Sequence, residues 1–249
     1  MATWMKYIEC IMNGFPLRKC ADMCNIHYVT AFKWRHKVLD ALKTMSDSVQ
    51  LSGIVEVDET FERISYKGNH SHSASFSMPG TAHKRGGAVH KRGLSSDQVC
   101  VPCAVNRDGL SIAKAAGVGK ASRKSIRYVP DGRIAENSVF VTDGLNLYPK
   151  FAKDNGLQHV AMKPGKHTKG IYGIQHINSY HSGLKNFLRG FKGVSTKYLD
   201  NYLRWNNFVN YARETYIEKV KILSEYVFTQ HQTIKDTDIS NRPALPVAA

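Results

Sequence analysis

The run Ile54-Val-Glu-Val-Asp-Glu-Thr60 is rich in β-branched residues and reads as a strand. Alternation along that strand puts Glu56 and Asp58 on one face and Val55, Val57 and Glu59 on the other. Acidic side chains on a strand face are costly as pure structure, which points to a metal ion or a basic ligand beside them. A second apolar run, Ser138-Val-Phe-Val-Thr142, delivers Asp143 at its end, followed by Gly144. A later helical stretch opens near Asn178, 35 residues after Asp143, and carries Lys185 seven residues further on. Seven residues are about two helical turns, so Asn178 and Lys185 share a face. Two carboxylates brought within a few ångströms of each other repel unless a cation sits between them. Phosphodiester chemistry uses two divalent metals about 3.5–4 Å apart, one at the attacking and one at the leaving oxygen. Mg²⁺ suits that task because it keeps waters and takes few carboxylate ligands. Taken alone, Asn178 also fits a helix N-cap and Lys185 a solvated lysine.

The elements that must position these groups can be read along the chain. Residues 3 to 13 pattern as an amphipathic helix that Gly14 and Pro16 end. Leu17 to Cys24 and Tyr28 to Leu39 read as two helices around the tight turn Asn25-Ile26-His27, the layout of a helix-turn-helix over residues 1–45. The second helix offers Thr30, Lys33, Arg35 and Lys37 to DNA. Residues 43 to 53 read as a polar connector. A domain over 52–230 follows, with strands at 54–60, 98–105, about 110–116 and 138–142, a helix at about 147–155 and a short strand at 159–162. A helix then runs from about Asn178 to a break near Gly190, and a long helix from about 196 to 229. Residues 231–249 read as a loose tail. The stretch 66–96 has no acid but holds Lys84, Arg85, Lys91 and Arg92, and reads as a basic loop that follows a phosphate backbone.

Composition narrows the partners. Across 249 residues Lys plus Arg number 35 against 20 Asp plus Glu, a formal charge of +15 that favours a polyanion. No apolar run is long enough to span a bilayer, and no signal-peptide pattern opens the chain, so a cytoplasmic, nucleoid-associated protein without a membrane partner is expected. Cys20 and Cys24 read as a buried helix face, and Cys100 and Cys103 fall on opposite faces of a strand, so neither pair reads as a zinc site.

Three blocks carry a family resemblance: Val55-Glu-Val-Asp-Glu-Thr60, Val141-Thr-Asp-Gly144 and His176-Ile-Asn-Ser-Tyr-His-Ser-Gly-Leu-Lys185. In this order and at these intervals they resemble the ISXO-type DDE transposases of bacterial insertion sequences. The likeness runs from the helical segment to about residue 212. It implies an α/β fold, a ribonuclease H-like mixed sheet flanked by helices, with an N-terminal helix-turn-helix. In such a sheet the first and fourth strands are neighbours, which would join Asp58 to Asp143. The resemblance further implies Asp58, Asp143 and Asn178 as ligands of Mg²⁺ or Mn²⁺, with Lys185 beside the DNA phosphate. Many relatives have Glu where Asn178 stands, and the branch with Asn followed by Lys is the one matched. An amide brings no charge, so the second metal should be held less tightly. The zinc ribbon common ahead of the helix-turn-helix has no counterpart after Met1, which implies a subtype without it or a shortened reading frame.

The implied activity is metal-dependent strand cleavage and strand transfer on double-stranded DNA, at the element's terminal repeats and the target, by a homo-oligomer in a synaptic complex. The alternatives are a non-catalytic DNA-binding relic or regulator and, more distantly, a host nuclease of the same fold.

Overall fold

The computed structural model describes residues 1–69, 72–73, 76–78, 98–163, 165–211, 213–229 and 234–245. Its first helix, α1 (Ala2–Met12), buries Tyr7, Ile8, Ile11 and Met12 and stops where Gly14 takes a left-handed φ of 64° ahead of Pro16. Helix α2 (Leu17–Cys24) buries Cys20, Ala21 and Cys24, and Asn25 closes it in the left-handed conformation (φ 50°, ψ 50°). Asn tolerates that conformation better than most residues, so the chain can turn sharply here. Helix α3 begins at Tyr28 and continues to Ser48, well past the expected end at Leu39. The apolar positions Val38, Leu39, Leu42 and Met45 keep helical spacing through the first half of the stretch expected as a polar connector.

The sheet is built around β1 (Ile54–Arg63). A small hairpin, β2 (His72–Ser73) with β3 (Phe76–Ser77), precedes β4 (Gln98–Asn106), which pairs antiparallel with β1 and sets Asp58 opposite Cys103. Then come β5 (Ser111–Ala113) and β6 (Gly117–Val118), both antiparallel to β4, and the short helix α4 (Arg123–Arg127), whose Ser122 and Ser125 form a reciprocal cap. Strand β7 (Val139–Thr142) lies parallel to β1 on its other side. After α5 (Tyr148–Asp154), strand β8 (Gln158–Ala161) lies parallel to β7. The sheet order is therefore β5–β4–β1–β7–β8. The fold is a mixed α/β sheet flanked by helices, with the acid-bearing strands β1 and β7 side by side.

The pair β9 (Thr168–Lys169) and β10 (Tyr172–Gly173) leads into α6 (Gln175–Gly190), and a short 3-10 turn at Thr196–Tyr198 opens α7 (Leu199–Tyr211). The long helix expected over 196–229 is instead two, α7 and α8 (Tyr216–Thr229). Thr215 and Glu218 explain the new start: the Thr215 hydroxyl accepts from the Glu218 amide while the Glu218 carboxylate accepts from the Thr215 amide. Residues 234–245, part of the stretch read as a loose tail, dock on α3 through α9 (Asp236–Ser240), and Arg242 forms an ion pair with Asp40.

Two cores sandwich the sheet. One holds Val55, Val57, Phe140 and Tyr148 under α4 and α5. The larger joins Val99, Val101, Cys103 and Val141 to α6, α7 and the N-terminal helices. Trp205 at its centre is fully buried and donates its indole N–H to the Ile11 carbonyl at 2.8 Å. All five cysteines are free and buried, as small core residues should be.

Candidate active site

The β1–β7 register ends with Val57 opposite Thr142, so the next residues on these parallel strands are Asp58 and Asp143. Neighbouring strands are about 4.8 Å apart, and side chains alternate between faces. Both acids therefore leave the sheet side by side, on the face that α6 covers. Asp143 is exposed, and its Oδ1 accepts from the Leu145 amide at 3.0 Å, fixing the turn beyond the strand. Gly144 makes that turn possible: its φ is 87°, and a Cβ there would lie 2.8 Å from the Met162 carbonyl oxygen. Asp58 is partly buried, its Oδ1 accepting from the Glu59 amide at 2.8 Å. Burial, then the charge of Asp143, then that of Glu59, push the Asp58 carboxyl up to about 7. Two acids in this state are those a cation would relieve.

Helix α6 lies over β1 and β4 and runs in the same direction as β1. It buries Ile177, Tyr180, Leu184 and Leu188. Beside that apolar stripe Asn178, His181 and Lys185, spaced three and four apart, line one face. His181 is the member that meets β1, its Nδ1 lying 3.9 Å from Asp58 Oδ2. Burial, then Lys185, lower the imidazole to about 4, so it is neutral at pH 7. Lys185 is exposed, and its charge acts on Glu62, whose carboxyl burial raises. Asn178 is exposed one turn ahead of His181, and among the described residues no hydrogen bond joins its amide to either carboxylate.

The expected N-cap role of Asn178 does not hold. Helix α6 starts at Gln175, so Asn178 lies inside the first turn, and the flanking Ile174 offers no side-chain cap. The cap comes from the sheet. Glu56, 1% exposed, accepts from the Ile177 amide at 3.0 Å through Oε2, while its Oε1 is 2.7 Å from His176 Nδ1. Glu59, on the opposite face of β1, accepts from the Tyr148 hydroxyl. Burial raises its carboxyl, the Tyr148 hydrogen bond lowers it, and Asp143 raises it again. Among the described residues no three His, Cys, Asp or Glu side chains converge as a ready-made metal cage. The candidate set is instead two carboxylates and an amide.

Glu56, Glu62, His176 and His181 join the neighbourhood of the expected residues. Two signals for three of them stood in the sequence: even spacing of Glu56, Asp58 and Glu62 along a strand, and helical spacing of His181 with Asn178 and Lys185; His176 had none.

The residues expected to meet DNA are spread. Arg35 is corrected: it is 1% exposed, donates to the Phe15 carbonyl at 2.6 Å and lies 4.9 Å from the Trp205 ring, so it is a core cation and reaches no phosphate. Its face of α3 is the one packed between α2 and α7. Lys33 and Lys37 hold Asp236 at 2.7 and 3.2 Å. Thr30 is half-buried beside the exposed Tyr28 and Val29. Lys84, Arg85, Lys91 and Arg92 lie outside the described residues. Among the described residues, no helix is long and apolar enough to cross a membrane.

Residues 50–209 match the family model of the ISXO2-like transposase domain. No curated protein matches the chain.

Proposed function

The chain belongs to the ISXO2-like transposase family, and on that premise we propose that it cuts and joins DNA at the ends of an insertion sequence, with Asp58, Asp143 and Asn178 holding Mg²⁺ or Mn²⁺. One observation carries this reading: Asp58, within β1, and Asp143, just past the end of the adjacent β7, leave the sheet on one face, and burial together with the charge of Asp143 pushes the Asp58 carboxyl up to about 7. The oxygen donors of this set suit a hard cation. When bound, the metal supplies Lewis acidity and lowers the pKa of an attacking hydroxyl, first of water and then of a freed 3′-OH, for in-line displacement. Asp58 and Asp143 bring the negative charge, and Asn178 adds a neutral oxygen. The set therefore carries one charge fewer than three acids would. Lys185 follows Asn178 and His181 on the same helix face, where its ammonium can hold a phosphate oxygen of the scissile strand.

The sheet order supports the ribonuclease H-like assignment, with three antiparallel strands joined through β1 to two parallel ones. Helices α2 and α3 and the left-handed Asn25 support the helix-turn-helix reading, in which the exposed start of α3 meets the duplex. A net charge of +15 suits terminal repeats and target DNA in the cytoplasm, at the nucleoid. Two or more copies would pair the element's ends in a synaptic complex.

The test is strand cleavage and transfer on the element's own ends with Mg²⁺ or Mn²⁺. Asp58→Asn and Asp143→Asn each drop cleavage to background while duplex binding stays near that of the parent. Parent-level cleavage by either variant would remove the assignment. The neutral Asn178 favours one second reading, a DNA-binding derivative without catalysis. Tight binding with no metal-dependent cleavage by the parent chain identifies that case.

A further inference from the structure

We infer that Glu56 is a positioning residue for the candidate centre: its buried carboxylate seats the first turn of α6 on β1 and so sets where Asn178 stands relative to Asp58. The inference rests on the proposed metal-dependent reading.

The first amides of a helix lack partners within it, and its N-terminal end carries partial positive charge. In α6 no side chain of the helix's own leading segment meets that need, and the first turn has no acid. Glu56 meets it from a different element, using one carboxylate oxygen for the Ile177 amide and the other for His176. Burying a carboxylate is costly, and Ile174, which flanks the helix, is itself packed in the core and offers no polar group to cap it. What a strand carboxylate adds is a fixed link between strand and helix. The link is short. Only Val57 separates Glu56 from Asp58, and Asn178 directly follows Ile177. The covalent path Asp58–Val57–Glu56, the hydrogen bond and the bond Ile177–Asn178 thus tie two candidate ligands across the element boundary. One further contact lies along the same face, His181 Nδ1 3.9 Å from Asp58 Oδ2. Of the two, only the Glu56 contact holds the helix by its backbone.

The experiment uses the full chain and compares Glu56→Gln and His176→Gln with Asp58→Asn. Mn²⁺ affinity is measured by calorimetry without DNA, duplex affinity and cleavage rate are measured separately, and thermal melting establishes that each variant is folded. Groups that orient metal ligands typically cost about 10–100-fold in metal affinity or activity when lost. Glu56→Gln is expected to weaken Mn²⁺ binding by about tenfold and to slow cleavage, with duplex affinity unchanged and partial recovery of rate at high Mn²⁺. His176→Gln, at a half-exposed position, gives a smaller loss in the same direction and carries the test if Glu56→Gln does not fold. A folded Glu56→Gln protein, or failing that His176→Gln, with parental Mn²⁺ affinity and cleavage overturns the inference while Asp58→Asn still loses both. If Asp58→Asn itself binds Mn²⁺ like the parent, the metal-dependent reading falls, and Glu56 is then a helix clamp with no bearing on chemistry.

Discussion

Asp58 and Asp143 owe their proximity to one register pair, Val57 with Thr142, and the Asp58 carboxyl, the more buried of the two, is raised first by its burial and then by the charge of Asp143. Because the Asp58 carboxyl titrates near 7 when folded and near 3.8 otherwise, the folded chain binds the extra proton between those values. Its contribution to stability is therefore present below pH 3.8 and lost as pH rises through 7. A cation needs the ionised form, so its benefit runs the opposite way. Stabilisation by Mg²⁺ should be small at pH 6 and several degrees larger at pH 8, measured as the shift in melting temperature on adding the ion. Asp58→Asn should erase that difference, and a Mg²⁺ shift independent of pH would contradict the account. At this scale Asp58 and Asp143 were legible, because an acid within or just past an apolar strand violates the pattern around it, although β1 runs on to Arg63 and leaves Asp58 mid-strand. Glu56 was visible only as a face-mate of Asp58. Its partner lies 121 residues away, and no local pattern announces a cap supplied by another element.

Helices show where local signals suffice and where they mislead. The turn between α2 and α3 was legible in Asn25, and the helix break at 213–215 was spelled by Thr215 and Glu218 but hidden inside a continuous apolar period. For α3 the amphipathic pattern misleads, since a helix packed on several sides has no clean polar face and buries Arg35 and His36. His36 stacks on Tyr198 with ring centroids 4.1 Å apart, and its Nδ1 lies 3.4 Å from the Asn201 amide nitrogen. Burial, with Arg242 and Arg35 close by, lowers its pKa to about 3. A depressed histidine stabilises the fold above its ordinary 6.5, and that contribution is lost as pH falls towards 3. Between pH 7 and pH 5 the loss is on the order of 2 kcal/mol. Urea unfolding of the parent and of His36→Phe should show it: the variant's midpoint falls less over that interval. Equal falls would mean that His36 does not carry the acid sensitivity.

Over the whole molecule the charge of +15 was plain from composition, but composition does not say which cations are free to meet a partner. Folding sorts them. Arg35 goes to the core, Arg242 to Asp40, and Lys33 and Lys37 to Asp236 near the C-terminal end. The shared core, with Trp205 tied to Ile11, keeps α1–α3 in one fixed setting against the sheet, so the lysines of α3 and the carboxylates of β1 and β7 belong to one rigid arrangement. The Asp236 clasp has a consequence for ionic strength. When lysines reach DNA they usually release condensed small ions, and each such contact steepens the fall of log K with log salt by about 0.9. Lys33 and Lys37 already carry a counter-charge of the protein's own, which duplex must displace before it gains either cation. In Asp236→Asn both lysines would engage DNA outright, so binding should be several-fold tighter at low salt and its salt slope steeper by up to about 2. Parallel slopes for the two proteins would mean that DNA never competes with that carboxylate. A chain that brings its own counterion would hold a duplex in a way that depends less on the salt around it.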